Sequence, residues 1–116
     1  MLRSCLKSKL HNVRVTVACL DYMGSITIPA DLMERADIWE NERVLVASFD
    51  SGARLWTYVI PGPAGCGSIE MNGAAARLIA KGERVIIMAF GLTETPIRPK
   101  VLICNPDDNT VIRDGY

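Results

Sequence analysis

The 116-residue chain reads as mainly β, a compact barrel with short helices. Three observations lead there. Short apolar runs with a period of two recur along the chain, as where Val13, Val15 and Val17 alternate with Arg14 and Thr16. Gly- or Pro-containing turns separate them, at Gly24-Ser25, Asp50-Ser51-Gly52, 61–68, Lys81-Gly82-Glu83 and 93–96. Only two stretches, 29–37 and 72–78, carry helical signals, too little to cover both faces of a doubly wound sheet.

In chain order, residues 2–10 mix basic and apolar positions and fit an opening edge strand. A β-like run from Val13 to Leu20 reaches the Gly24-Ser25 turn, and Ile26 and Ile28 leave it. Gly24 has no Cβ, so a positive-φ geometry is open to it and its carbonyl is accessible. Pro29 suits a helix start, and Leu32, Met33 and Ala36 give the short helix an apolar side. Val44 to Phe49 and Ala53 to Ile60 form a hairpin across Asp50-Ser51-Gly52. Ile69 and Met71 lead into a turn and short helix at 72–78. Val85 to Phe90 is the most apolar strand; Val101 to Cys104 follows, then a turn at 105–109 and a short tail.

Composition removes several function classes. Thirteen basic and thirteen acidic residues cancel, which argues against the basic footprint of a nucleic-acid binder. At this length the chain is one domain, residues 1–116, burying roughly two thirds of its unfolded surface. Cys5, Cys19, Cys66 and Cys104 lack metal-ligand spacing and the chain has one histidine, so no metal site is expected. With no signal-peptide pattern at the N-terminus and no long apolar span, a reduced cytoplasmic setting away from membranes is expected.

Three clusters could carry chemistry. Gly24-Ser25 sets a hydroxyl beside an accessible carbonyl. Arg54, Trp56 and Tyr58 share one strand face, and Leu55, Thr57 and Val59 the other. Arg54 offers a planar fork of donors for a carboxylate, and Tyr58 a weak acid. In Asn72-Gly73-Ala74-Ala75, small residues let a ligand approach the backbone. Lys9 and His11 share a face if their segment is extended. Each feature alone also fits an ordinary turn, cap or wet strand face.

Taken together and in this order, these segments resemble the pyruvoyl-dependent aspartate 1-decarboxylases. The likeness rests on Lys9-Leu10-His11, Tyr22-Met23-Gly24-Ser25-Ile26-Thr27-Ile28, Glu40-Asn41-Glu42, Gly52 to Tyr58, Asn72 to Ala76 and Val85-Ile86-Ile87. It runs from Met1 to about Pro99. It implies a six-stranded double-psi β-barrel, a homotetramer with active sites between subunits, and L-aspartate as the substrate yielding β-alanine for pantothenate and coenzyme A. It also implies self-cleavage between Gly24 and Ser25 into chains 1–24 and 25–116, with Ser25 converted to a covalent pyruvoyl group. On matching positions, Ser25 becomes the Schiff-base group and Tyr58 the proton donor. Thr57, Gly73, Ala74 and Ala75 contact substrate, Arg54 and Lys9 lie near its carboxylates, and Asn72 lies close to the catalytic centre. Whether a maturation factor assists cleavage is left open. Pro29 and Trp56 depart from the usual family residues.

The chemistry asks for these groups. The Ser25 hydroxyl can attack the Gly24 carbonyl, and a donor such as Thr57 would help its oxyanion. Arg54 on the side-chain carboxylate would orient the substrate without stabilising the carboxylate that leaves. Because Thr57 faces away from Arg54 and Tyr58, either the strand twists there or its two faces serve two sites in a ring of subunits. A second, shorter resemblance links Ser25 to Leu32 and Val44 to Val46 with swapped-hairpin transcription factors of the AbrB type, although the chain lacks the basic surplus DNA binding needs.

Overall fold

The computed structural model describes residues 1–115. Its elements, in order, are β1 (Arg3–Arg14), β2 (Val17–Cys19), β3 (Ser25–Pro29), α1 (Ala30–Ala36), β4 (Arg43–Ser48) and β5 (Arg54–Gly62). There follow β6 (Glu70–Asn72), α2 (Ala75–Leu78), β7 (Arg84–Thr93), β8 (Lys100–Asn105) and β9 (Thr110–Asp114). The hydrogen-bonded order is β2-β6-β3-β5-β4-β7-β1-β8-β9. Parallel pairs β1–β8, β2–β6 and β3–β5 are set among antiparallel ones. Parallel neighbours need crossovers rather than hairpins, and this mixed order is that of a double-psi β-barrel. β1, β4, β5, β7 and β8 are the longer strands, β3 and β9 have five residues each, and β2 and β6 have three each.

The inward side chains of the alternating strands make the core. Leu10, Ile26, Ile28, Val44, Val46, Val59, Met71 and Ile87 are fully removed from solvent. Helix α1 closes one end with Leu32, Met33 and Ala36. Pro29 caps its start at φ −53°, where the ring is preset and a missing N–H costs nothing. Asp37, at φ 56°, ends it in the left-handed region, and its carbonyl accepts from Lys7 Nζ at 2.6 Å.

Several sequence expectations change. The opening segment is not at an edge: β1 lies between β7 and β8 and extends through Arg14. Asn12, at φ 72°, shifts the pairing register, so that Leu10 and Val13 both turn inward despite their odd spacing. The run expected from Val13 to Leu20 is therefore two strands. Val13 and Val15 are buried, but Val17 lies on the exposed β2. The strands flanking Gly24-Ser25 do not pair with each other, because β6 inserts between them. The tail beyond 109 holds β9, paired with β8; its alternation is too short and too polar to stand out in sequence.

Candidate active site

Exposure changes abruptly at one peptide bond. Residues 17–24 are all exposed, whereas 25–29 are all buried, and Ser25 retains 1% of its surface. The cause is local pairing. β3 is held on one side by β6, through Ser25–Asn72, Ile26–Met71 and Thr27–Glu70. On the other side it is held by β5, from Ile26–Val59 to Pro29–Gly62. The preceding segment has the short β2–β6 ladder and a bond from Gly73 N–H to the Cys19 carbonyl, with residues 20–24 outside any strand.

Ser25 and Thr27 are two apart on β3 and so point the same way. Both hydroxyls accept from the Asn72 side chain: Nδ2 donates to Ser25 Oγ at 2.9 Å and to Thr27 Oγ1 at 3.0 Å. All three residues are buried. With its oxygen already accepting, the Ser25 hydroxyl keeps its proton free to donate. Thr27 was not among the sequence candidates; its signal was the Ser-x-Thr spacing on a strand.

Gly24 does not use the freedom it has. It is absent from the residues at positive φ, and a Cβ there would meet nothing. The close approach falls on Gly73 instead. Gly73 sits at φ 66°, and a Cβ would lie 2.7 Å from the Tyr22 carbonyl oxygen and 2.8 Å from Gly24 Cα and N. Its N–H donates to the Cys19 carbonyl at 2.7 Å. Only glycine lets the turn carrying Asn72 lie flush against the backbone before Ser25.

A cleft of about 420 Å³ opens beside this junction, lined by Gly24, Leu55, Trp56, Thr57, Tyr58, Ala74, Ala75 and Leu78. β3 occupies only residues 59–62 of β5 on this side, and the cleft runs along the same edge of the preceding residues. Continuing the parallel register backward sets Gly24 level with Thr57 and Ser25 level with Tyr58. Thr57 and Tyr58, which point to opposite faces of β5, thus border one cleft. Leu55 and Leu78, which are not among the site residues expected from sequence, complete the lining.

Arg54 and Lys9 lie elsewhere. Arg54 is exposed, paired with Ala47 and outside the cleft lining. Trp56, Leu45, Met88 and Lys9 form one lateral row across β5, β4, β7 and β1. Lys9 is therefore on the same outer face of the sheet as Trp56 and Arg54, three strands away from β5. His11 continues this face. Burial, and then the charge of Lys9, hold its imidazole below the ordinary range. It packs edge-on against Phe49, and its Nδ1 is buried without a partner. Among the described residues no cluster suited to a metal ion occurs, and no helix is long and apolar enough to cross a membrane.

A buried serine held by an amide at the foot of an exposed segment, with an open cleft beside it, marks the candidate site of this mainly β enzyme. The chain belongs to the aspartate decarboxylase family, whose model matches residues 1–111. It is 51% identical over 114 residues to an aspartate 1-decarboxylase of Thermotoga sp. (strain RQ2), with 98% of this chain and 99% of that one covered. It is 58% identical over 92 residues to the enzyme of that name from Moorella thermoacetica (strain ATCC 39073 / JCM 9320), with 79% and 72% covered. Against that from Bacillus cereus (strain B4264) the identity is 47% over 116 residues, with 97% and 91% covered. The family match over residues 1–111 extends far beyond Ser25 to Leu32 and Val44 to Val46, the segments on which the shorter sequence resemblance rested.

Proposed function

We infer that the protein decarboxylates L-aspartate to β-alanine and CO₂, the step that supplies β-alanine for pantothenate, after cleaving itself between Gly24 and Ser25. The observation that carries this reading is the junction itself. An exposed segment ends at Gly24, and a buried serine with its Oγ bonded to Asn72 begins β3. In the cleavage, Ser25 Oγ attacks the Gly24 carbonyl carbon and the amide becomes an ester. Elimination across the Ser25 Cα–Cβ bond then frees the Gly24 carboxylate, and hydrolysis with loss of ammonia leaves a ketoacyl group on residue 25. The surroundings suit such a group: residue 25 is buried, Asn72 supplies an amide donor, and the short side chains of Ala74 and Ala75 leave room for an amino acid in the adjoining cleft.

A pyruvoyl group in place of Ser25 supplies the electron sink that loss of CO₂ requires. The remaining work falls to side chains. Thr57 and the backbone at 73–75 border the substrate. Tyr58, level with residue 25 on the cleft edge, delivers a proton to the carbon that has lost CO₂. Arg54 and Lys9 hold carboxylates, and because they stand on the outer face, a neighbouring copy provides them. The exposed apolar side chains Val17, Leu20, Tyr22 and Met23 in the segment before Gly24 favour such an assembly, a homotetramer in this reading.

Denaturing mass spectrometry after warm incubation, with and without cell extract, tests the cleavage. Fragments 1–24 and 25–116, the second with a carbonyl-reactive N-terminus, together with β-alanine formed from L-aspartate, are expected. A single intact 12.7 kDa chain that makes no β-alanine under either condition overturns the reading. For the shared site, mixing inactive Arg54→Ala and Ser25→Ala subunits restores part of the activity. A mixture as inactive as its parents refutes it.

A further inference from the structure

We propose that Arg43 is a positioning residue for the cleft: stacked on Trp56, it draws the indole over β4 and so keeps the β5 edge open to substrate. The proposal rests on the decarboxylase reading and concerns a pair that reading leaves unused. Trp56 borders the cleft between Leu55 and Thr57, and an indole is the largest side chain the site contains. Yet its cation–π and ring–ring contacts lie on the other side of its strand. The Arg43 guanidinium carbon is 4.1 Å from the ring centroid. Phe90 lies 5.9 Å away, tilted at 58°.

Sheet register explains the direction. Arg43 is the cross-strand partner of Tyr58, and Leu45 that of Trp56, so Arg43 reaches the indole diagonally over β4. Phe90 lies on β7, one strand further from the cleft. Both contacts therefore pull the ring toward β4 and β7, while Gly24, Ala74 and Ala75 lie past the opposite edge of β5. The staggered alternatives of χ1 are separated by large rotations. A ring released from Arg43 can take one that lies over the edge beside Thr57 and Tyr58. There it competes with substrate. Within the protomer Trp56 is 49% exposed, so none of its own core side chains prevents that swing.

Steady-state kinetics of the cleaved enzyme test this. Arg43→Ala raises KM for L-aspartate about three- to tenfold, the equilibrium shift a lost cation–π contact permits, with kcat and cleavage at wild-type values. Arg43→Lys, which keeps a cation, recovers most of the difference. In a Trp56→Ser background, Arg43→Ala leaves KM unchanged, because no ring remains to swing. With Trp39→Phe leaving Trp56 as the lone indole, succinate alters the fluorescence of the Arg43→Ala protein more than that of the Arg43 protein. An unchanged KM in Arg43→Ala overturns the proposal. So does a raised KM that persists in the Trp56→Ser background, since Arg43 then acts on substrate or assembly directly. If the parent enzyme itself forms no β-alanine, the decarboxylase reading has failed instead, and the succinate-dependent fluorescence still decides the position of the ring.

Discussion

Asn72 holds Ser25: its Nδ2 donates to the Ser25 Oγ at 2.9 Å across the β3–β6 ladder, in which the two residues are direct partners. The second hydrogen of the same amide goes to Thr27. The bond directs one lone pair of the hydroxyl toward Asn72 and so fixes where the oxygen sits relative to the preceding carbonyl. Removing the amide leaves two buried hydroxyls without it, at about 1–3 kcal/mol for each group left unsatisfied. Asn72→Ala should therefore slow self-cleavage by about 10- to 100-fold. The time course of the 25–116 fragment by intact mass checks this; wild-type kinetics would show that Asn72 does not position the attack.

Gly73→Ala should be worse than its single methyl suggests. The new Cβ would meet the Tyr22 carbonyl and the Gly24 backbone, at a φ that L residues rarely adopt. Displacing that backbone moves the scissile carbonyl, so cleavage should fall by at least about tenfold and stability by about 1–3 kcal/mol. Urea unfolding in a Ser25→Ala background measures the stability on a single, uncleaved species.

Protonation of His11 should weaken the fold. Its folded pKa lies below the ordinary imidazole value, through burial first and Lys9 second. The unfolded chain therefore takes up a proton before the folded one does as pH falls. The stability gained from the neutral ring is complete above about pH 6.5 and is lost as pH drops through the lower folded value. The chain has one histidine, so its imidazole resonance in a proton NMR titration is unambiguous. A midpoint above the model-peptide value would contradict the structure.

Ser8 offers a stabilising change. Its side chain is fully buried and its Oγ has no hydrogen-bond partner. Ser8→Ala removes that cost without changing the backbone and should add about 1 kcal/mol, a rise in Tm of roughly 3–5 °C. A fall in Tm would mean that the hydroxyl is bonded to an internal water.

Cys104 should resist thiol reagents in the folded protein. Burial pushes its thiol up to about 11, so little thiolate forms at pH 8, whereas exposed Cys19 and Cys66 should react. Linkage has the opposite sense to that of His11. The contribution is intact below the unfolded thiol value and declines as pH rises toward the folded one. Labelling counted by mass spectrometry checks the order of reaction.

The hairpin at 50–52, helix α1 and the two faces of β5 were legible because each follows from spacing within a few residues. Exposure along Arg54–Tyr58 alternates as the period of two requires. The register slip at Asn12 and strand β9 were not legible, since a bulge and a polar final strand depend on the partners they meet. Gly24 drew attention for a conformational freedom that Gly73 is the one to use. Spacing alone cannot say which of two glycines forty-nine positions apart bears the close contact, as that depends on how β6 crosses to β3.

By itself the sequence determined the chemistry on offer: a serine after a glycine, an asparagine before small residues, and a strand with Arg54, Thr57 and Tyr58. These are matters of residue type and order. Tertiary structure alone decided their grouping. Parallel pairing of β3 with β5 sets the junction level with Thr57 and Tyr58, antiparallel pairing with β6 brings in Asn72, and sheet order leaves Lys9 and Arg54 on the outer face. The physical reason is that a crossover topology joins strands far apart in sequence, and only the long-range hydrogen-bond register sets which residues then meet.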